Sequence, residues 1–479
     1  MRRAYVFLSL LLSLIWLASS VESAALPEVA GLIGEATLGV DSLPPNLSPT
    51  AWQSMEAQLA RLIAADGAAG DRFGNSVSID GDTAVVGALA KRVGENAYQG
   101  AAYVFARNQA GPDAWGQVAM LTATDGAAGD SFGTSVSISG DTVVVGAEFA
   151  DVGLNEDQGA AYVFLRNQGG PDAWGQVAKL TATDGLGSDQ FGGSVSVYGD
   201  SIVVGAANAD PGGNAYQGAA YLFLRDLGGP NAWGQAAKLT AADGAAYDLF
   251  GRSVAVSLDT VVVGATGVDV GSNAEQGAAY VFARNQGGAG AWGQVARLIA
   301  EDGTQLDNLG SSVAVAGDIA VAGAPTAEVG ANAAQGAAYV FYRNQGGGDA
   351  WGQVAKLTAD DGAEGDSFGW PVSVSNDKAI VGSQHADVGG NADQGAAYVF
   401  DRNRGGPDMW GQAVKLTAAD GAAGDWFGHS VSISGDTAIA GAWQASVDGN
   451  ANQGAAYVYD LGAAQHMVYL PFVSRNRTP

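Results

Sequence analysis

The sequence predicts an all-β fold, a seven-bladed β-propeller of four-stranded blades, and three observations carry that prediction. A pattern recurs every 59 residues without an insertion, each period reads as four short strands, and the one missing copy of the last strand is found near the start of the chain. The period shows first in the "FG" pairs, at Phe73, Phe132, Phe191, Phe250, Leu309, Phe368 and Phe427, each followed by glycine. The glycines of "VVGA" (Gly87 to Gly441) and the tyrosines of "QGAAYVF" (Tyr103 to Tyr457) keep the same spacing.

Within one period the strands are "FGTSVSIS", "TVVVGA", "GAAYVF" and "WGQVAKLTA". Each is short, rich in valine, aromatics or alternation, and bounded by Gly, Asp or Asn. No segment inside the repeat shows a 3.6-residue stripe, and glycine punctuates it about every ten residues, which disfavours helix. The first two strands are joined by "DGDT", "SGDT", "YGDS", "SLDT", "AGDI", "SNDK" and "SGDT". Gly and Asp or Asn at the centre match a two-residue hairpin turn, where positive φ is required.

The tryptophan that opens the fourth strand appears only six times, from Trp115 to Trp410. The last unit stops at "GAAYVYDLG", whereas "EAQLARLIAADG" precedes the first, and at the 59-residue period Leu62 falls under Leu121. The N-terminal segment is therefore expected to supply the outer strand of the final blade, pairing the two ends of the chain so that no blade edge is left open. Four regions follow: a signal peptide over 1–25, a lead-in over 26–56, the propeller over 57–462 and a tail over 463–479.

The first 25 residues have two arginines, an apolar run from about Ala4 to Ala18 and then small residues, the pattern of a secretory signal peptide. A secreted or cell-surface protein is expected, with no transmembrane anchor in the mature chain and as a monomer. The tail is too short to span a bilayer. There is no cysteine, so packing and backbone pairing must hold the fold without disulfides. The formal charge of −27 argues against nucleic acid or anionic membrane as a partner.

The motif "FGxSVxxxGDxxVVGA" followed by "GAAYVF" resembles the FG-GAP repeat, the blade unit of integrin alpha-chain propellers and of many exported bacterial proteins. The full "GAP" survives once, at Gly323–Pro325, and Leu309 stands where the motif has phenylalanine. The resemblance implies a propeller used for extracellular binding or adhesion. In integrin-like blades it also implies calcium in a DxDxDG loop between the first two strands, a pattern from which this chain departs in every unit. One or two acidic groups cannot supply the six to eight oxygens that calcium takes.

Two other recurrences mark candidate sites. Asp stands seven and two residues before each "FG": Asp66 and Asp71, Asp125 and Asp130, Asp184 and Asp189, Asp243 and Asp248, Asp302 and Asp307, Asp361 and Asp366, Asp420 and Asp425. These residues suit Asx turns and backbone capping, yet fourteen carboxylates in equivalent loops repel one another unless neutralised, which points to bound cations, Ca2+ in particular. The loop between the second and third strands carries Asn96, Asn155, Asn214, Asn273, Asn332, Asn391 and Asn450, each followed three residues later by Gln and Gly. They either shape the loop or form a polar ligand face that gains from multivalency.

Because strands alternate in direction, the Asp and Asn loops share one face of the ring. The opposite face carries the hairpin turns and the "RNQGG" arginines (Arg107 to Arg402), so the ring is expected to be electrically two-faced. Period-breaking residues mark a further place for a unique site: Lys91 and Arg92 in the first unit, Trp370, Pro371 and His385 in the sixth, Trp426, His429 and Trp443 in the seventh. The leading expectation is an exported, non-catalytic binding or adhesion propeller whose ligand is an extracellular protein or glycan. The rivals are a secreted hydrolase or lyase acting from units six and seven, and a structural component of the cell envelope. No serine elbow, metal-ligand histidine pair or cysteine supports catalysis.

Overall fold

In the computed structural model, residues 58–462 are described, apart from Ala110, Asn231 and Gly346. The expected signal peptide (1–25), lead-in (26–56) and C-terminal tail (463–479) lie outside the described residues. What is described is seven antiparallel sheets of four strands each. The first blade consists of β2 (Phe73–Asp80), β3 (Thr83–Ala88), β4 (Ala101–Ala106) and β5 (Gly116–Leu121), in that order from the ring axis outward. Among the described residues the only helical element is one turn of 3-10 helix at Pro211–Gly213.

Position in the blade explains the composition of each strand. β3 and β4 are buried along their whole length, because both faces of a middle strand meet neighbouring blades, and they read as unbroken runs of small and β-branched residues, joined in β4 by Tyr103 and Phe105. The outer β5 is only half covered and alternates accordingly. The apolar core is distributed over seven clusters, one at each junction between adjacent blades. In six of the seven junctions the "FG" phenylalanine meets two aromatic rings of its own third strand, as Phe73 does with Tyr103 at 5.6 Å and Phe105 at 5.9 Å. Leu309 occupies the same buried place in the fifth unit.

The strand β1 (Gln58–Leu62) pairs antiparallel with Ala455–Asp460 and completes the last blade, with Leu62 opposite Ala456. Closure is secured at three radii. On the inside, Ser432 Oγ accepts from the Ile79 N–H; in the loops, the Phe73 N–H donates to the Gln453 carbonyl at 2.8 Å; on the outside, Gln58 Oε1 accepts from the Ala419 N–H.

The innermost strands face an open channel, so their channel-side N–H groups have no ladder partner. Serines of the preceding blade supply one. Ser78 accepts from Ile138, Ser137 from Val197, Ser196 from Val256 and Ser373 from Ile433, at 3.0–3.2 Å. The "SVS" of the motif is thus a hydroxyl ladder that satisfies an otherwise bare edge.

Candidate functional site

The Asp and Asn loops lie together on one face, as the strand directions require. The backbone joins them across each blade boundary: after Asn96, the Ala97, Tyr98 and Gln99 carbonyls accept from Gly129, Ser131 and Phe132 of the next unit. The Asn side chains reinforce this junction. Asn96 Nδ2 donates to Gln99 Oε1 and to the Gly126 carbonyl, and Asn155, Asn273, Asn332 and Asn391 repeat both bonds. Asn214 and Asn450 make the bond to their own Gln217 and Gln453. Their amide donors are committed to the loop, and the glutamines they hold are buried.

The paired aspartates divide into two roles. The inner member of each pair is buried, and its Oδ2 accepts from the N–H three residues earlier: Asp71 from Ala68, Asp130 from Ala127, Asp189 from Leu186, Asp248 from Ala245, Asp307 from Thr304, Asp366 from Ala363 and Asp425 from Ala422. Burial pushes the carboxyls of Asp130, Asp189, Asp248, Asp366 and Asp425 above the usual aspartate range. The outer member takes a basic side chain from the fourth strand of its own blade. Lys179 meets Asp125, Lys238 meets Asp184, Lys356 meets Asp302 and Lys415 meets Asp361 at 2.6–2.7 Å, while Arg297 meets Asp243 at 2.7 Å. The seventh blade borrows its strand from the N-terminus, and Arg61 of that strand meets Asp420 at 2.9 Å. Burial alone would raise the carboxyls of Asp125, Asp184, Asp302 and Asp361, but the ammonium beside each holds them below the usual range.

The first unit is the exception that accounts for a period-breaking residue. Met120 stands where the other units carry Lys or Arg, so Asp66 has no fourth-strand cation. Lys91, at a position that is Ala or Val in every other unit, fills the gap and reaches both Asp66 at 3.2 Å and the buried Asp71 at 3.0 Å.

The mutual repulsion that suggested calcium is therefore met by lysine and arginine. Among the described residues, no three of His, Cys, Asp or Glu come together as a metal-binding cluster. The inner carboxylates are buried against backbone donors, the outer ones carry a basic group, and the hairpin turns offer one acidic group or two, so these residues do not fit calcium. The expected thermal midpoint is the same in chelator and in millimolar calcium; a rise of several degrees in calcium would overturn this reading.

The opposite face is compensated in the same manner rather than being a positive surface. Arg107, Arg166, Arg225, Arg284, Arg343 and Arg402 each meet the hairpin aspartate of their own unit, Asp82, Asp141, Asp200, Asp259, Asp318 and Asp377, at 3.0–3.6 Å. The fourth-strand tryptophans are half-buried against the blade junctions, and Trp410 Nε1 donates to Tyr342 Oη at 2.8 Å.

The channel opens at both ends. At the turn end, a cavity of about 700 Å³ is lined by serines such as Ser139 and Ser375, by aliphatic residues, and by Asp80, Asp318 and Asp377. At the loop end, a cavity of about 460 Å³ is ringed by the residue that follows each "FG": Asn75, Thr134, Gly193, Arg252, Ser311, Trp370 and His429. The period-breaking aromatics of units six and seven gather beside it. Trp426 and Trp443 lie with ring centroids 5.6 Å apart, His385 packs edge-on to Trp426 at 5.0 Å, and His429 lies 5.0 Å from Trp443. His429 Nδ1 is 2.5 Å from Gln384 Oε1, and burial, with His385 nearby, pushes its pKa down to about 4. The imidazole is neutral at pH 7, with Nδ1 paired to an amide oxygen.

Arg252 was not among the residues that the sequence singled out. It lines this cavity and two smaller ones beside it, and its guanidinium lies 5.4 Å from the centre of the Trp370 ring, two units further along the chain. The signal that finds it is a column-by-column comparison of the seven units, which shows how unlike its counterparts this residue is.

A closed ring of seven four-stranded sheets around an open channel defines the class, a seven-bladed β-propeller. Seven segments, 57–105, 115–164, 174–223, 233–282, 292–341, 351–400 and 410–459, match the FG-GAP repeat, and the chain belongs to that family. Each matched segment runs from the outer strand of one blade through the three inner strands of the next, so the family unit is offset from the blade, and the closing strand β1 is simply the start of the first unit. Propellers of this family are commonly binding or adhesion modules and are typical of extracellular proteins. No curated protein is significantly similar to the chain. Among the described residues, no helix is long and apolar enough to cross a membrane.

Proposed function

We propose that this chain is an exported, non-catalytic binding propeller that holds an extracellular protein or glycan on its Asp/Asn loop face, at the mouth of the channel. The observation that supports this reading is the contrast between frame and rim. Aspartates, asparagines, glutamines and lysines of the loops are bonded to one another, and serines wall the 460 Å³ cavity they surround, whereas its rim holds Trp370, Arg252 and His429, whose side chains make no bond of the repeated frame. A concave site with an apolar wall and a few convergent polar groups is the usual form of a ligand site.

The test is a glycan and protein panel presented to the full chain and to a variant with Trp370, Trp426 and Trp443 changed to Ala. The expected result is a ligand that the parent holds and the variant does not, recovered chemically unchanged. Conversion of that ligand, lost on His429→Ala, would establish the hydrolase or lyase reading instead.

A further inference from the structure

The seven units are seven versions of one design, and comparing them position by position separates what the frame needs from what it leaves free. Both loop aspartates, the asparagine, the glutamine and the "AAY" are identical in all seven. The residue after "FG" is different in every unit, and the two residues after "VVGA", Leu89–Ala90 in the first unit and Trp443–Gln444 in the last, likewise hold seven different residues each. The residue before "FG" takes six identities. In the folded ring these four positions converge on the loop-side mouth of the channel: every residue after "FG" lines one of its cavities, as do Gln190, Leu249, Asn308 and Glu148 among the others, while Trp443 lies beside His429 of the lining, with Arg72 over its ring. A ring built of near-copies is thus most asymmetric at this mouth, which offers one site rather than seven equal ones.

Charge says what the site takes. The chain carries a net −27, and fourteen of the eighteen Lys and Arg among the described residues are in ion pairs with Asp. Two of the remaining four are Arg72 and Arg252, both exposed and both at the rim. Of the 28 rim residues Glu148 is the one acid, and its Oε1 accepts from Thr134 Oγ1. Each rim arginine lies over an indole, Arg72 over Trp443 at 4.8 Å and Arg252 over Trp370 at 5.4 Å. A guanidinium held this way keeps its in-plane N–H donors for a planar anion alongside.

Shape narrows the ligand further. An extended peptide binds readily by adding to a bare strand edge, but the inner-strand donors here are already met by the serine ladder. What the mouth presents instead is the Trp370 indole together with the amides of Gln190 and Asn208, which bond each other. Flat apolar faces rimmed by amides suit pyranose rings, which are apolar on their faces and hydroxylated at their edges. Resting on the loop-face reading above, we propose that the mouth binds an acidic oligosaccharide, a sugar chain bearing carboxylates, with a sugar ring on Trp370 and its carboxylates on Arg252 and on Arg72, which Trp443 positions.

Calorimetric titration of the full chain tests this with hexamers of galacturonate, mannuronate and guluronate, the methyl-esterified galacturonate hexamer and hexaglutamate. At least one free-acid hexamer is expected to bind, at least tenfold more weakly after Arg252→Gln or in 0.5 M rather than 0.05 M salt, and not at all after Trp370→Ala with Trp443→Ala in a variant that still melts cooperatively. The ester should lose as much as Arg252→Gln. Equal binding of ester and acid overturns the role of the arginines, and hexaglutamate binding that survives loss of the tryptophans overturns the sugar in favour of an acidic peptide. If no hexuronate binds while the panel above yields a ligand lost with the rim tryptophans, the acidic-sugar inference falls alone; a silent panel removes both.

Discussion

Gly146→Ala is expected to destabilise the ring by about 3 kcal/mol or more, although it adds a single methyl group to a strand of good geometry. A Cβ built at Gly146 would sit 1.9 Å from the carbonyl oxygen of Gly192 in the next blade and 2.4 Å from Ser135 Oγ. The serine can rotate, but the carbonyl is backbone, and Gly192 is itself held at φ +99°. Relief therefore requires the two blades to separate, which loosens the junction holding Val144, Phe191 and Tyr221. Against this, alanine gains only about 0.4–1 kcal/mol by restricting the unfolded chain. Gly348→Ala is the control, with no atom near its Cβ and no positive φ, and should be neutral or slightly stabilising. Chemical denaturation of both variants decides the matter; equal midpoints would mean that blade contact does not explain the "VVGA" glycine.

Removing residues 58–62 while keeping the rest of the chain should be more damaging still. Leu62 is 2% exposed in the junction that also holds Phe73, Ala456 and Val458, and replacing it by alanine alone should cost about 2–5 kcal/mol. Deletion also removes Arg61 from Asp420 and Gln58 from the Ala419 N–H, and it bares the edge of Ala455–Asp460. Such an edge pairs with whatever strand it meets. The expected readout is a lower, broadened melting transition together with oligomers in light scattering. A monomer melting at the parental temperature would show that the ring holds without its closing strand.

Much of this architecture was legible because a repeat states its own rules seven times over. Strand number, the two-residue hairpin and the end-to-end splice all follow from period and turn chemistry, and each is present in the fold. The partners of charged residues were not legible. Asp125 meets Lys179, 54 residues away, and a lysine in the outer strand carries no mark of the loop it will serve. For the same reason the fourteen aspartates read as an unbalanced acidic face, and the arginines opposite them as a positive one, until the ring paired both. Lys91 read as a mark of a unique site, yet it stands in for the cation lost at Met120.

The candidate site divides along the same line. Trp370, His385, Trp426, His429 and Trp443 stood out as breaks in the period, but Arg252 did not, since one arginine among exposed loop residues is unremarkable until the rim is assembled around it. Periodicity, hairpins and closure are local or repeated patterns, and the sequence by itself determined them. Which cation answers which aspartate, and the meeting of Arg252 with Trp370 across the mouth, were decided only by the tertiary structure, because closing the ring brings to one place side chains that the chain keeps whole units apart.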